Sequence, residues 1–458
     1  MGRRRRTVGL VVLGGAVLAS TALWAVAFSS VLGGAGAHVR PGWPVVLSVV
    51  LAVAVAAGVS VVERAVTTGA RRSRRHRTPL APRIVMEETR GVYAGPVTIT
   101  VVIPAHNAEG SLSVTLDALG AQSRQPDRVI VVADNCVDDT VGLARSHGVE
   151  VVEAFRSTHE KAGALNRALG GLLPGLGDND LVMVTGAGTV LGDGFLEGAA
   201  RRMADDRALM AIGGLIAGEA GGGLLGQLQR NELLRHALDL RGQGASAHVL
   251  TGTASIFRPR ALRAVAAARG TSLPGVPGDV FDTVALTEDS EITLALRSLG
   301  ALVVSPADCT VVTGLMPTWG ALWAQRLRTQ HGALETLGEY GVRTHTWRHW
   351  TQQLGLSHGS LAAGAGLGLL AVTALAVDSW VWLPFWLVLG AVLALARVAR
   401  VWRGGWRARL VAVLLLPELA YATFLGAVHL KGIADVTFGR SSRPERLAAW
   451  RSSTSTAS

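Results

Sequence analysis

The sequence predicts an α/β nucleotide-binding domain set between apolar, membrane-type helices. Three observations lead there. A polar block at residues 97–340 alternates β-branched runs with helical patterns, apolar runs flank it on both sides, and arginines gather beside those apolar runs rather than over the block. The predicted organisation is two N-terminal transmembrane helices with basic flanks (1–77), a linker (78–96), the α/β domain (97–340), C-terminal transmembrane or interfacial helices (341–430) and a basic tail (431–458) whose Ser-rich end is predicted to be disordered.

With 458 residues, 49% of them hydrophobic, and a mean hydropathy of +0.36, the chain accommodates one substantial domain plus several spans and differs from an ordinary soluble protein. Thr7 to Leu32 carries no charge and Pro44 to Val62 is nearly as apolar; each is close to the roughly 20 residues that cross a bilayer. A cleaved signal peptide is the alternative for the first run, but its apolar stretch exceeds the usual ~7–15 residues.

The net charge of +11 does not point to nucleic acid. Arg3 to Arg6, Arg71 to Arg77 and Arg397 to Arg409 sit beside the apolar runs, as the positive-inside rule requires, and place the polar block in the cytoplasm. Cys136 and Cys309 are the two cysteines, too few and too far apart for a zinc motif, so two free thiols are expected.

Beyond the block come Leu354 to Val377, Trp380 to Ala396 and Leu410 to Leu430. The last contains Pro417 and Glu418 and reads as a kinked span, a re-entrant segment or an interfacial helix. The basic loop before it and the basic tail after it both read as cytoplasmic, which a single full span between them cannot satisfy.

Within the block, Thr98 to Ile103 reads as a strand ending at Pro104-Ala105-His106-Asn107, a helical pattern follows from Ser111, and Arg128 to Ala133 reads as a strand ending at Asp134-Asn135. Ligands bind such sheets at the carboxyl ends of the strands, which makes both polar loops candidate ligand loops. Asp134 is placed to accept hydrogen bonds from a base or ribose; Asp138 and Asp139 read as caps of the helix that follows. Glu160-Lys161-Ala162-Gly163 opens a helix with small residues beside Lys161, one of two lysines in the chain. Asp180 to Thr185 is a further strand, ending at Gly186-Ala187-Gly188.

Glu288-Asp289 is an acidic pair able to take a proton from a hydroxyl, and Gln325-Arg326-Leu327-Arg328 is a cluster able to hold a diphosphate. Thr287 followed by Glu288, Asp289 and Glu291 also suits a helix start, and a helix N-terminus is a firm mount for a base. The Gly/Pro-rich run from Gly270 to Gly278 reads as a mobile loop over the acceptor side.

The order of these pieces, with Thr251-Gly252-Thr253-Ala254-Ser255-Ile256-Phe257-Arg258 between them, resembles family 2 glycosyltransferases of GT-A fold, in the membrane-embedded branch of the hyaluronan, chitin, cellulose and poly-N-acetylglucosamine synthases. The resemblance spans about Val97 to Leu337 and extends to the flanking spans. It implies an inverting sugar transfer with Asp289 as general base and Glu288 orienting it. By the same resemblance Pro104, His106, Asn107 and Asp134 hold uracil and ribose, Lys161 lies near the nucleotide, and Gln325, Arg326 and Arg328 bracket the diphosphate. The implied partners are a nucleotide sugar, UDP-linked by preference, a glycan or lipid acceptor, the bilayer and an accessory membrane subunit, with no nucleic acid.

The chain departs from that pattern twice. Where the family carries a metal-binding Asp-x-Asp it has Gly186-Ala187-Gly188, so no metal ligand and no cofactor is assigned, although magnesium or manganese is usual there. Thr329 replaces the tryptophan that stacks on the acceptor, with Trp319 and Trp323 as candidate substitutes or membrane-interface residues. Three readings follow: an active transferase in which Lys161, Arg326 and Arg328 replace the metal charge, a catalytically impaired nucleotide-binding or scaffold subunit, and a transport module that conducts a glycan made by another protein, which the scarcity of charge in the spans argues against.

Overall fold

The computed structural model describes residues 96–154, 160–242, 250, 252–343, 346–347, 349–357, 360 and 383–439. The two N-terminal apolar runs with their basic flanks, the linker up to residue 95, residues 361–382 of the later apolar runs and the tail from residue 440 lie outside the described residues.

The three strands read from the sequence are present, and a fourth with no counterpart in that reading, Glu150–Ala154, stands between the second and third of them in chain order. β1 is Thr98–Ala105, β2 Arg128–Asp134, β3 Glu150–Ala154 and β4 Asp180–Thr185. They alternate with α1 (Glu109–Gly120), α2 (Thr140–Ser146) and α3 (Glu160–Leu172). After β4 come β5 (Val190–Leu191), α4 (Phe195–Asp205), β6 (Leu209–Gly213), β7 (Leu215–Gly218) and α5 (Gly223–Gly242). Then follow β8 (Ala254–Phe257), α6 (Pro259–Ala268), α7 (Glu288–Ser298), β9 (Leu302–Val304), β10 (Thr310–Thr313) and α8 (Trp319–Tyr340).

The main sheet has seven strands in the order β3-β2-β1-β4-β8-β6-β9, and β5, β10 and β7 form a second, three-stranded sheet. β1 pairs in parallel with β2 and with β4, which puts three strand ends on one edge. β8 runs antiparallel to β4, so its beginning lies beside the end of β4. Alternation along β1 divides the core. Ile99, Val101 and Ile103 pack with Leu112, Leu116 and Phe195 on one face, while Val102 meets Leu165, Leu169 and Val182 on the other. Both faces are covered, as parallel central strands require.

The run Gly270 to Gly278 differs from the mobile loop expected of its composition. Arg269, 1% exposed, donates to the carbonyls of Pro274 and Val280 at 2.8 and 2.6 Å and forms a two-pronged pair with Glu291 of α7 at 2.5 and 2.7 Å. The Tyr340 hydroxyl, at the end of α8, donates to Glu291 at 2.5 Å. One buried guanidinium thus fastens the loop, α7 and α8 together; glycines and prolines serve its turns rather than its motion.

C-terminal to the α/β domain, α9 (Leu383–Arg400), α10 (Gly405–Val413) and α11 (Leu416–Phe438) form a helical layer. Among the described residues no single helix is long and apolar enough to cross a membrane; Trp402–Val413 and Leu416–Phe438 pass together as a pair bent by 87°. α11 runs along α8, where Leu334 and Leu337 meet Ile433 and Val436. Its buried Glu418 receives Arg235 and Asn231 of α5 and Arg397 of α9 at 2.8 to 3.1 Å. Arg400 pairs with Asp239 of α5 at 2.6 Å. The first arginines of the basic loop therefore face the α/β domain, and Glu418 is buried against protein.

Candidate active site

The ends of β1 and β2 are tied into one rim. His106 Nδ1 lies 2.6 Å from the Asp134 carbonyl oxygen, and the Val137 amide donates to Asn107 Oδ1 at 2.9 Å. Asn107 and Asn135, each just past its strand, have φ of 49° and 48°. This left-handed conformation is one that asparagine tolerates better than most residues, and it turns both loops away from the sheet edge. Behind them the Ala108 amide donates to Thr140 Oγ1 at 2.8 Å and the Glu109 amide to Asp138 at 3.0 Å.

Asp138 also accepts the Thr140 amide at 3.2 Å and so caps α2, while Asp139, at the N-cap position, makes no such bond. Burial works to raise the Asp138 carboxyl, but bonds from Thr140 and the Glu109 amide outweigh it and hold the group below its ordinary value. Asp134 is buried and accepts from Asn135 Nδ2 at 3.0 Å. Cys136, in the same loop, is a free thiol pushed up by burial; Cys309, free in the core, is pushed up to about 12 by the same cause.

The second half of the site is the start of α7. Thr287 is its N-cap residue but makes no side-chain cap; it packs instead against Gly332 of α8, where a Cβ would run into its side chain. Asp289 and Lys161 of α3 form an ion pair, Nζ to Oδ1 3.8 Å, each side chain about a third exposed at 33% and 30%. Attraction to Asp289, opposed by burial and aided by Glu288, raises the Lys161 ammonium above its ordinary value. Burial raises the Glu288 carboxyl against the pull of Lys161.

Gly252, just before β8, completes the mount, since a Cβ there would overlap the Asp289 carboxylate. Val184, Phe257 and Phe281 line a narrow recess beside Gly252 and Asp289. Asn166, one turn after Lys161, accepts the Val280 and Phe281 amides at 3.1 and 2.8 Å and ties α3 to the loop before α7.

The diphosphate cluster divides. Arg328 lies close enough to act on both Lys161 and Glu288 and reaches toward the Leu286 carbonyl at 3.5 Å. Arg326 points to α5 instead, pairing at 2.9 Å with Glu232, which also accepts the Tyr421 hydroxyl at 2.5 Å. Gln325 is exposed. Trp319 and Trp323 lie edge-on against Phe424 of α11, at 4.9 and 5.5 Å between ring centroids, and so pack the helical layer. Gly252 and Asn166 stand in the sequence motifs and are identifiable by neighbourhood; Glu232 carries no sequence signal, being one charge in a polar helix.

The divalent metal that the resemblance implies does not fit the residues present here. Gly186 and Gly188 lack side chains, and Gly188, with φ of +87°, holds a conformation that an aspartate rarely adopts. Among the described residues no group of three or more His, Cys, Asp or Glu side chains could hold a metal ion. The nearby Asp289 faces an ammonium, which repels a second cation.

Residues 100–266 match the family model of glycosyl transferase family 2. No curated protein matches the chain in sequence. Among solved structures, a mannosyltransferase from Pyrobaculum calidifontis, in complex with GDP-Man and Mn2+, is 16% identical, with a TM-score of 0.53 over 87% of this chain and 100% of that one. Glucosyl-3-phosphoglycerate synthase from Mycobacterium tuberculosis is 19% identical over 54% of this chain and 80% of that one, at a TM-score of 0.34. TarS of S. aureus, in complex with UDP-GlcNAc, is 15% identical over 75% and 91%, at 0.36. The first likeness is one of fold; the other two superpose too loosely to add to it. Residues 100–266 thus resemble glycosyl transferase family 2 in sequence, and the described residues share a mixed α/β fold with the mannosyltransferase.

Proposed function

We propose that the chain is a membrane-bound inverting glycosyltransferase that moves a sugar from a nucleotide sugar to a glycan or lipid-linked acceptor. One observation carries the reading. Asp289 stands at the N-terminus of α7, backed by Gly252 and flanked by Lys161 and Arg328. A carboxylate so held is suited to remove the acceptor proton as the hydroxyl oxygen bonds to the anomeric carbon. The bond from that carbon to the diphosphate breaks in the same displacement, and the nucleoside diphosphate leaves with the bonding electrons.

The rim of His106, Asn107 and Asp134 would receive base and ribose, with UDP-sugars the first donors to try; the GDP-Man held by the structural neighbour makes GDP-sugars the second. Incubation with a donor panel and a mixed acceptor extract, followed by release of nucleoside diphosphate and NMR of the new linkage, tests this. The expected product has the opposite anomeric configuration to the donor; a retained configuration would refute the single displacement.

The bilayer belongs to the same proposal, with the α/β domain on the cytoplasmic side of the cell membrane. Trp402, Trp406, Leu410, Val413 and Leu416 of the bent pair are exposed, with Arg403 and Arg407 exposed among them. Arg409 lies over the Trp402 ring at 4.1 Å. An apolar, Trp-bearing face with arginines at its margin suits the headgroup boundary of an anionic bilayer. If the pair lies in that boundary instead of crossing it, the basic stretches on either side share one face, which removes the conflict in the charge rule.

A second reading, a catalytically impaired subunit that binds nucleotide or a partner synthase, is favoured by the glycines in place of Asp-x-Asp. Nucleotide binding without turnover of any donor would select it.

A further inference from the structure

We propose that this site neutralises the donor diphosphate with Lys161 and Arg328 in place of a divalent metal, so that donor binding is metal-independent. The inference rests on the transferase reading and adds to it the identity of the cation. It begins from adjacency. The loop at Gly186 is bonded to the start of β8, its amide donating to the Thr253 carbonyl at 3.1 Å, and Thr185 Oγ1 donates to the same carbonyl at 2.7 Å. Next to Thr253, Gly252 touches the Asp289 carboxylate, and Asp289 faces Lys161 at 3.8 Å. The place where the family holds its metal and the place where this chain holds an ammonium are therefore neighbours.

A divalent ion would bring two positive charges; Lys161 and Arg328 also bring two, of which the Asp289 carboxylate beside Lys161 offsets one. Both are fixed to the protein, Lys161 on α3 and Arg328 on α8, and guanidinium and ammonium groups make charge-assisted bonds to phosphate oxygens. Arg326 takes no part, because Glu232 and Tyr421 occupy it. The metal cannot be recovered by a single restoration of the motif. Gly186 has room for a side chain, with only Thr189 Oγ1 in contact at 3.5 Å, but Gly188 at φ +87° does not favour one.

The test is calorimetric binding of UDP and of GDP to the full chain in detergent or lipid, with EDTA and then with added Mn2+. The expected result is one nucleotide with the same affinity, within about twofold, under both conditions. Lys161→Met and Arg328→Gln should each lower that affinity by roughly tenfold or more, as loss of a charged hydrogen bond does, and Lys161→Arg should restore part of it. Arg328 is half-exposed at the surface of α8, so Arg328→Gln keeps the test alive if Lys161→Met fails to fold; a melting curve identifies that case. Binding that rises more than tenfold with Mn2+, or that ignores both substitutions, would overturn the proposal while leaving the transferase reading intact. Binding of neither nucleotide under either condition would overturn both.

Discussion

The rim at the ends of β1 and β2 and the seat of Asp289 at the start of α7 are built by different physics. The rim joins β1 and β2 mainly through single hydrogen bonds to carbonyl, amide and hydroxyl oxygens, with the Asp138 carboxylate behind them, in loops where His106 and Asn107 are exposed. The mount fixes α7 with a guanidinium–carboxylate pair, Arg269 and Glu291, whose side chains are both 0% exposed, and with two glycine contacts that leave no space. The outer bond of this rim, from the Val137 amide to Asn107, is exposed and can exchange with water or a ligand, whereas the fully buried pair holds one geometry and costs much to break. A rim so made can adjust to the base and ribose proposed for it. The mount keeps the carboxylate in one place, which is what proton removal in a displacement needs.

The largest contrast is expected from Arg269→Met. It leaves the Glu291 charge buried without its partner and should cost about 3–5 kcal/mol in unfolding free energy by chemical denaturation. His106→Ala, on the rim, should cost under about 1 kcal/mol; equal costs would erase the distinction.

Gly252→Ala comes next. The new methyl must displace the Asp289 carboxylate, so kcat should fall by about a hundredfold while nucleotide affinity stays within about twofold. An unchanged kcat would show that the carboxylate needs no fixed seat. The two arginines of α8 sharpen the comparison from another side. Arg326→Gln should lower stability by about 1–3 kcal/mol, by leaving Glu232 unpaired, and spare nucleotide affinity, whereas Arg328→Gln should do the reverse. Matching effects on affinity would return Arg326 to the phosphate site.

The pH dependence is smaller. Because Asp289 raises the Lys161 ammonium above 10.5, its contribution is complete below that value and is lost only as pH climbs through the raised one. Nucleotide affinity should therefore hold level from about pH 7 to about pH 8.5, below the range in which uracil and guanine lose their own ring protons; a decline inside that window would contradict the pairing. The smallest effect belongs to Trp406→Ser, expected to weaken binding to anionic vesicles only a few-fold, about 1 kcal/mol, with turnover in detergent unchanged.

β1, β2 and β4 were legible because β-branched runs ending in polar loops have few other readings, and Asp180 to Thr185 coincides with β4 to the residue; β3 and the short strands after β4 were not read from the sequence. Glu288 and Asp289 at a helix start were legible for a similar reason, three acidic groups in one first turn. What composition misjudged was the segment 270–278, because the residue that holds it, Arg269, lies outside the Gly/Pro run and finds Glu291 only in three dimensions. The split between Arg326 and Arg328 was equally hidden. Two arginines two residues apart point to different sides of a helix, and which side carries phosphate depends on Glu232 and Tyr421 from distant segments.

The most direct test of the central claim is release of nucleoside diphosphate by purified wild-type chain and Asp289→Asn from the donor that binds, at matched occupancy. The account predicts a loss of about 10²–10⁴ in kcat with nucleotide affinity preserved. Equal turnover by the two proteins would contradict it and remove Asp289 as the base.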